Sequence, residues 1–207
     1  MPPNMPTTTP AFPPAVAQRL GVIEQNAQAA MERAHADASF LPKSEQAARL
    51  NAIANAKTSP RNARLRALRI LADDLGRSLA RHAPCRRGCA HCCHIGVAIT
   101  ASEATLLAKA SGRTPARNVA TNLQPTELLH YRNPCPFLKN GECSVYDARP
   151  IACRTHFSAD VDSLLCELVE GTQIPVPYFD LTAIRALHIL LSAKEVVADV
   201  RDFFPPE

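Results

Sequence analysis

The stretch CRRGCAHCC, Cys85 to Cys93, holds four thiols within nine residues and ends in an adjacent pair. Four more, Cys135, Cys143, Cys153 and Cys166, complete the eight cysteines of the chain. Sulfur-only sets with gaps of two or three residues suit soft or borderline metals, because short gaps let the backbone wrap one ion while thiolate charge supplies affinity. Calcium and magnesium take oxygen ligands and are excluded. Successive side chains diverge, so Cys92 and Cys93 cannot easily put both sulfurs on one tetrahedral ion. They are expected to feed different metals, or different irons of one cluster.

Disulfides are the competing use of an even number of cysteines, and the compartment decides between the two. The N-terminus, MPPNMPTTTPAFPPAVAQRL, has no basic residue before Arg19 and six prolines in its first fourteen residues. It lacks the charged start and apolar run of a secretory signal and reads as a disordered tail over 1–14. Nothing approaches the roughly 18 apolar residues of a membrane span. The expected location is the cytoplasm, where thiols stay reduced and metal or redox chemistry is their usual use. A vicinal disulfide at Cys92 and Cys93 would in any case be strained.

Charge supports the same reading. The formal net charge is +4 with all thiols protonated, and eight thiolates around two divalent ions would bring it to zero. The basic excess then compensates the sulfurs and leaves no footprint for nucleic acid. Aromatic residues are only 5% of the chain, which also offers no stacking platform for bases. Arg86, Arg87, Arg149 and Arg154 each lie within four residues of a cysteine. Their guanidinium groups could donate to sulfur and relieve thiolate repulsion, or simply line an exposed basic loop. Arg154, directly after Cys153, is the strongest candidate. His91, His94 and His156 could each replace a thiolate, although eight sulfurs already fill two four-coordinate sites. Cys166, among Leu164, Leu165 and Leu168, also reads as an ordinary buried core thiol.

The elements that must position these residues are mostly helical. Val16, Leu20, Ile23, Ala27, Ala30 and Ala34 share one helical face, and a second helix is expected over 44–57 with Leu50 and Ile53 inward. A third, with Ser59 as cap and Pro60 in its first turn, carries Leu65, Leu68, Leu71, Leu75 and Leu79. Thr100 and Glu103 form a capping box for a helix ending near Gly112. Asn140-Gly141 between CPFL and ECSVY predicts a β-hairpin, the only β-structure expected. Asp147 or Pro150 should start a turn holding Cys153, and Asp160 another holding Cys166. A last helix is expected from about Asp180 to Phe203, packed on the N-terminal helices through Leu181, Ile184, Leu187, Leu191, Val197 and Val200.

CRRGCAHCC, CPFLKNGECSVYDARPIACR and Cys166 together resemble the YkgJ-type cysteine-cluster family, described as a zinc- or iron-chelating domain. The resemblance spans Cys85 to Cys166 and implies that all eight cysteines are metal ligands. The first gap here has three residues, where many members have two. The same motif occurs in the flagellin lysine-methylase group, where it is thought to hold an iron-sulfur cluster. The C-x3-C-x2-C spacing also matches radical S-adenosylmethionine enzymes, but the alternating strands and helices of those folds are missing. No GxGxxG, P-loop or nucleophile–base pair is present, so no substrate is named.

The expected architecture is mainly α, with helices packed around an irregular cysteine-rich module and one short hairpin. Its divisions are 1–14 tail, 15–82 helical region, 83–171 metal-binding domain and 172–207 C-terminal helix. The expected function is chelation of zinc or an iron-sulfur centre in a structural or accessory role, with helices available for a protein partner. The alternative is an iron-sulfur enzyme of redox or group-transfer type.

Overall fold

The structure is a computed structural model that describes residues 12–122, 130–169 and 172–206. It is mainly α, with eight α-helices and two small antiparallel sheets among the described residues. Residues 1–11 of the expected tail lie outside the described residues; from Pro14 the chain is already helical.

The first apolar stripe divides into two helices, α1 (Pro14–Leu20) and α2 (Ile23–Ala36). Gly21 closes α1 by donating to the carbonyl of Ala17, and the two halves then serve different cores. Val16 packs with Leu165 and Ile174, whereas Ala30 and Ala34 are buried against the third stripe. Helix α3 (Lys43–Asn55) offers Leu50 and Ile53 as expected.

Helix α4 (Arg61–Leu79) is the spine of the molecule. Leu68, Leu71, Leu75 and Leu79 are almost wholly buried, and Leu65 is half-buried. Ser59 does not cap it: Pro60 is the N-cap and makes no side-chain bond. Arg64 instead reaches back to the carbonyls of Ile53 and Ala54, at 2.8 and 2.6 Å, satisfying the exposed end of α3.

Past the cysteine loop, β1 (Ala98–Thr100) leads into α5 (Ala101–Ser111), capped by the expected Thr100/Glu103 box and closed by Gly112 in the left-handed region, φ +74°. The hairpin is β2 (Leu138–Lys139) and β3 (Glu142–Cys143); Asn140 and Gly141 both take positive φ, as its tight turn requires. Pro150 precedes α6 (Ile151–Arg154), which carries Cys153. Asp160 starts no helical turn. It is buried, accepting from Arg19 of α1 and Asn26 of α2, and the 3-10 turn Leu164–Cys166 is instead entered by Asp162, which accepts from the Leu164 N–H.

The expected last helix is shorter than the pattern suggests. Helix α7 (Thr182–Leu191) places Ile184 and Leu187 on α4, then stops. The chain turns and forms β4 (Val197–Asp199), antiparallel to β1 with Ala98 opposite Asp199, before a four-residue helix α8 (Val200–Phe203). A second capping box, Asp199 with Asp202, restarts the helix, and β-branched Val196 and Val197 suit the strand. The hairpin is therefore not the only β-structure. Val200, Phe203 and Phe204 join Ile99, Leu107, Phe137 and Val145 in a second core, separate from the one around α4.

Candidate metal centre

The cysteines draw on all three cores, Cys166 ending the turn whose Leu164 and Leu165 pack with Val16 and Ile174. Cys85 packs against the α4 core, while Cys135 and Cys143 pack against the second. Each cysteine is a free thiol and partly exposed. Gly88, φ +88°, turns the first loop back on itself, and the Cys89 N–H donates to the Arg86 carbonyl at 3.0 Å. A 3-10 turn, His91–His94, then presents Cys92 and Cys93.

Backbone bonds bring the later cysteines to this turn. The Cys135 N–H donates to the Cys93 carbonyl at 2.6 Å, and the Leu138 N–H donates back to the Cys135 carbonyl at 2.9 Å. Cys143 stands opposite Leu138 in the hairpin. Ser158 serves the opposite side: its N–H donates to Cys85 Sγ at 3.3 Å, and it lines a cavity with Cys166. Ser158 was not singled out by sequence, because it stands 73 residues from Cys85.

Two adjoining cavities hold all eight thiols. The smaller, about 70 Å³, is lined by Cys85, Cys89, Cys92 and Cys166. The larger, about 680 Å³, is lined by Cys93, Cys135, Cys143 and Cys153 and shares Cys85, Cys89 and Cys92 with its neighbour. Among the described residues, no three His, Cys, Asp or Glu side chains are closed around a single point. The thiols surround space without filling it.

Burial keeps most of these thiols neutral. It pushes Cys135 up to about 11 and Cys166 up to about 12, and raises Cys85, Cys143 and, most strongly, Cys153. Cys93 goes the other way: a hydrogen bond from Cys92 stabilises its thiolate, which raises Cys92 in turn, and Arg201 and Arg149 add favourable charge.

Of the four arginines near cysteines in sequence, all line the larger cavity. Arg149 is the one whose charge lowers Cys93, Cys143 and Cys153, and it stacks on Tyr146 with its guanidinium 3.5 Å from the ring centre. Arg87 also lies over Tyr146, at 5.7 Å, while Arg86 is exposed. Arg154 is buried and spends its guanidinium on Asp73 of α4 and on the carbonyls of Asp147 and Arg149. It braces the loop between Cys143 and Cys153. Arg201 has no sequence neighbour among the cysteines, yet it donates to the carbonyls of Cys93 and Asn133 and pairs with buried Asp199.

His156 lines both cavities, is held neutral by burial, with its pKa lowered to about 4, and packs on Tyr178. His91 lines the smaller cavity, and His94 Nδ1 lies 3.1 Å from the Ala90 carbonyl.

Residues 84–173, which contain all eight cysteines, match the model of the CxxCxxCC family, described as a "Putative zinc- or iron-chelating domain". No curated protein and no solved structure matches the chain.

Proposed function

We propose, from the zinc- or iron-chelating domain matched over residues 84–173, that the chain holds zinc or an iron-sulfur centre through Cys85, Cys89, Cys92, Cys93, Cys135, Cys143, Cys153 and Cys166. The observation that carries this is the convergence of all eight thiols, from segments up to 81 residues apart, on two adjoining cavities. The donor set fits such a group: soft sulfur, short loop gaps, neutral thiols ready to lose protons to a metal, and Arg149 facing the charge that would result. A bound metal would supply the tether that these loops, short of apolar residues, lack. Residues 83–171 act in this reading as the metal-binding module, packed between the helices of 15–82 and the segment 172–207. No helix among the described residues is long and apolar enough to cross a membrane, and we place the protein in the cytoplasm.

Arg149 lowers the cost of gathering thiolates, and Arg154 fixes the loop that presents Cys143 and Cys153. Arg86 and Arg87 complete the basic wall. The helices outside the module serve its packing or a protein partner. One observation favours the second reading, an iron-sulfur enzyme of redox or group-transfer type. The larger cavity is roomier than a thiolate-bound ion requires, which leaves space for a small molecule beside it.

Anaerobic purification followed by zinc, iron and inorganic sulfide analysis tests both readings. Zinc thiolate is colourless, whereas an iron-sulfur centre absorbs in the visible. Fewer than one zinc or iron per chain, with all eight thiols freely titratable, would sink metal chelation.

A further inference from the structure

We infer that the eight cysteines form two separate four-thiolate sites, Cys85/Cys89/Cys92/Cys166 and Cys93/Cys135/Cys143/Cys153, which part company between the adjacent Cys92 and Cys93. This rests on the metal-chelating reading above and says how the ligands are divided within it.

Cavity lining carries the division. Four cysteines, and only four, line the smaller cavity, and the remaining four line only the larger one. Each set is a complete tetrahedral complement of sulfur. The boundary falls within the 3-10 turn, where Cys92 lines both cavities and its neighbour Cys93 lines only the larger.

Independent contacts hold each set together. Ser158 donates its N–H to Cys85 Sγ and lines the smaller cavity with Cys166, so the first and last cysteines of the chain share one wall. In the second set, the bond from the Cys135 N–H to the Cys93 carbonyl joins the two cysteine-rich segments, and the hairpin brings Cys143 beside them. Arg201 braces this set alone, through the carbonyls of Cys93 and Asn133. Its Nε is buried with no hydrogen-bond partner among the described residues. A metal-bound thiolate of Cys93 or Cys135 would be the acceptor that this N–H lacks.

The two sites differ in what surrounds them. The first sits in about 70 Å³ walled by Leu165, Ile174 and Val176, room for an ion and little else. The second opens into about 680 Å³ with arginines on its wall, a space that Cys85, Cys89 and Cys92 also line.

Cobalt(II) tests the division, because tetrathiolate cobalt absorbs in the visible with an intensity that reports the number of sulfurs bound. Full-length apoprotein, kept anaerobic, is titrated with cobalt. Wild type is expected to saturate at roughly two equivalents, both with the tetrathiolate signature. Cys166→Ser and Cys153→Ser should each leave one tetrathiolate site intact and alter the other. Cys92→Ser should behave like Cys166→Ser, and Cys93→Ser like Cys153→Ser. Circular dichroism confirms the fold of each variant, and Cys143→Ser on the hairpin replaces Cys153→Ser if that variant misfolds. Saturation of wild type at one equivalent, or loss of all tetrathiolate signal in either single variant, overturns the division while leaving metal binding in place. No cobalt bound at all, with eight titratable thiols, overturns the chelation reading itself.

Discussion

Arg201 shows what a single side chain contributes to this centre. Its guanidinium joins the Cys93 carbonyl, 108 residues away, to the Asn133 carbonyl and to Asp199, which is almost wholly buried. Arg201→Gln removes that carboxylate's guanidinium partner, leaving it the Val97 N–H and His130, and breaking a buried pair from one side costs up to about 3–5 kcal/mol. Urea denaturation of the apoprotein should show a loss of that order, and Arg201→Lys should recover only part of it because one ammonium cannot reach all three partners. At the same scale, Cys93 has the most favoured thiolate and Cys153 among the least. Limited iodoacetamide treatment of the apoprotein near neutral pH should label Cys93 early and Cys153 last, as read by peptide mass spectrometry. Equal rates at the two positions would contradict the environments described for them. The cysteines themselves were legible in the sequence because four sulfurs in nine residues have few other uses. Arg201 and Ser158 were not, because the sequence ranks neighbours by distance along the chain, and these two reach the thiols only through tertiary contacts.

Among the elements, α4 was legible for the opposite reason. A leucine stripe at helical spacing specifies its own buried face, whatever it packs against. Leu75→Ala should cost about 2–5 kcal/mol, because the side chain is almost wholly buried and its neighbours can collapse only in part. Leu190→Ala on α7, where the residue is 72% exposed, should stay within about 0.5 kcal/mol. Thermal melts followed by circular dichroism distinguish the two. The end of α7 misled the sequence reading because Val197 and Val200 continue a helical apolar rhythm while Val197 pairs in a strand and Val200 serves another core. Strand β4 exists only by pairing with β1, and a partner about a hundred residues upstream leaves no local trace. The hairpin needed no such partner, since Asn140-Gly141 specifies its turn in place.

In the molecule as a whole, acidity and metal act through the same thiols. A cysteine in the unfolded chain ionises near about pH 8.5. In the fold, burial keeps Cys135 and Cys166 protonated up to about 11 and about 12. Above about pH 8.5 the folded apoprotein therefore binds more protons than the unfolded chain, so its stability falls as pH rises. Cys93 has the opposite sign, but it is outnumbered by the raised thiols. Urea midpoints of the apoprotein between about pH 8 and 10 should fall, whereas the metal-loaded protein, its thiols already deprotonated, should lose that slope. Stripping the metal should speed amide exchange around Cys85 to Gly96 and Cys135 to Arg154 while the segment from Leu65 to Leu79 stays slower. Single-step unfolding of the entire chain would show instead that the helices depend on the centre. The pairing of β1 with β4 has one more consequence. Asp199 accepts from the Val97 N–H at 2.6 Å, and Arg201 follows two residues later, so the wall behind Cys93 is built from residues beyond the matched segment 84–173. That segment carries every cysteine but is no transplantable cassette. Grafted into another host, it would arrive with its ligands and without the masonry that holds half of them apart.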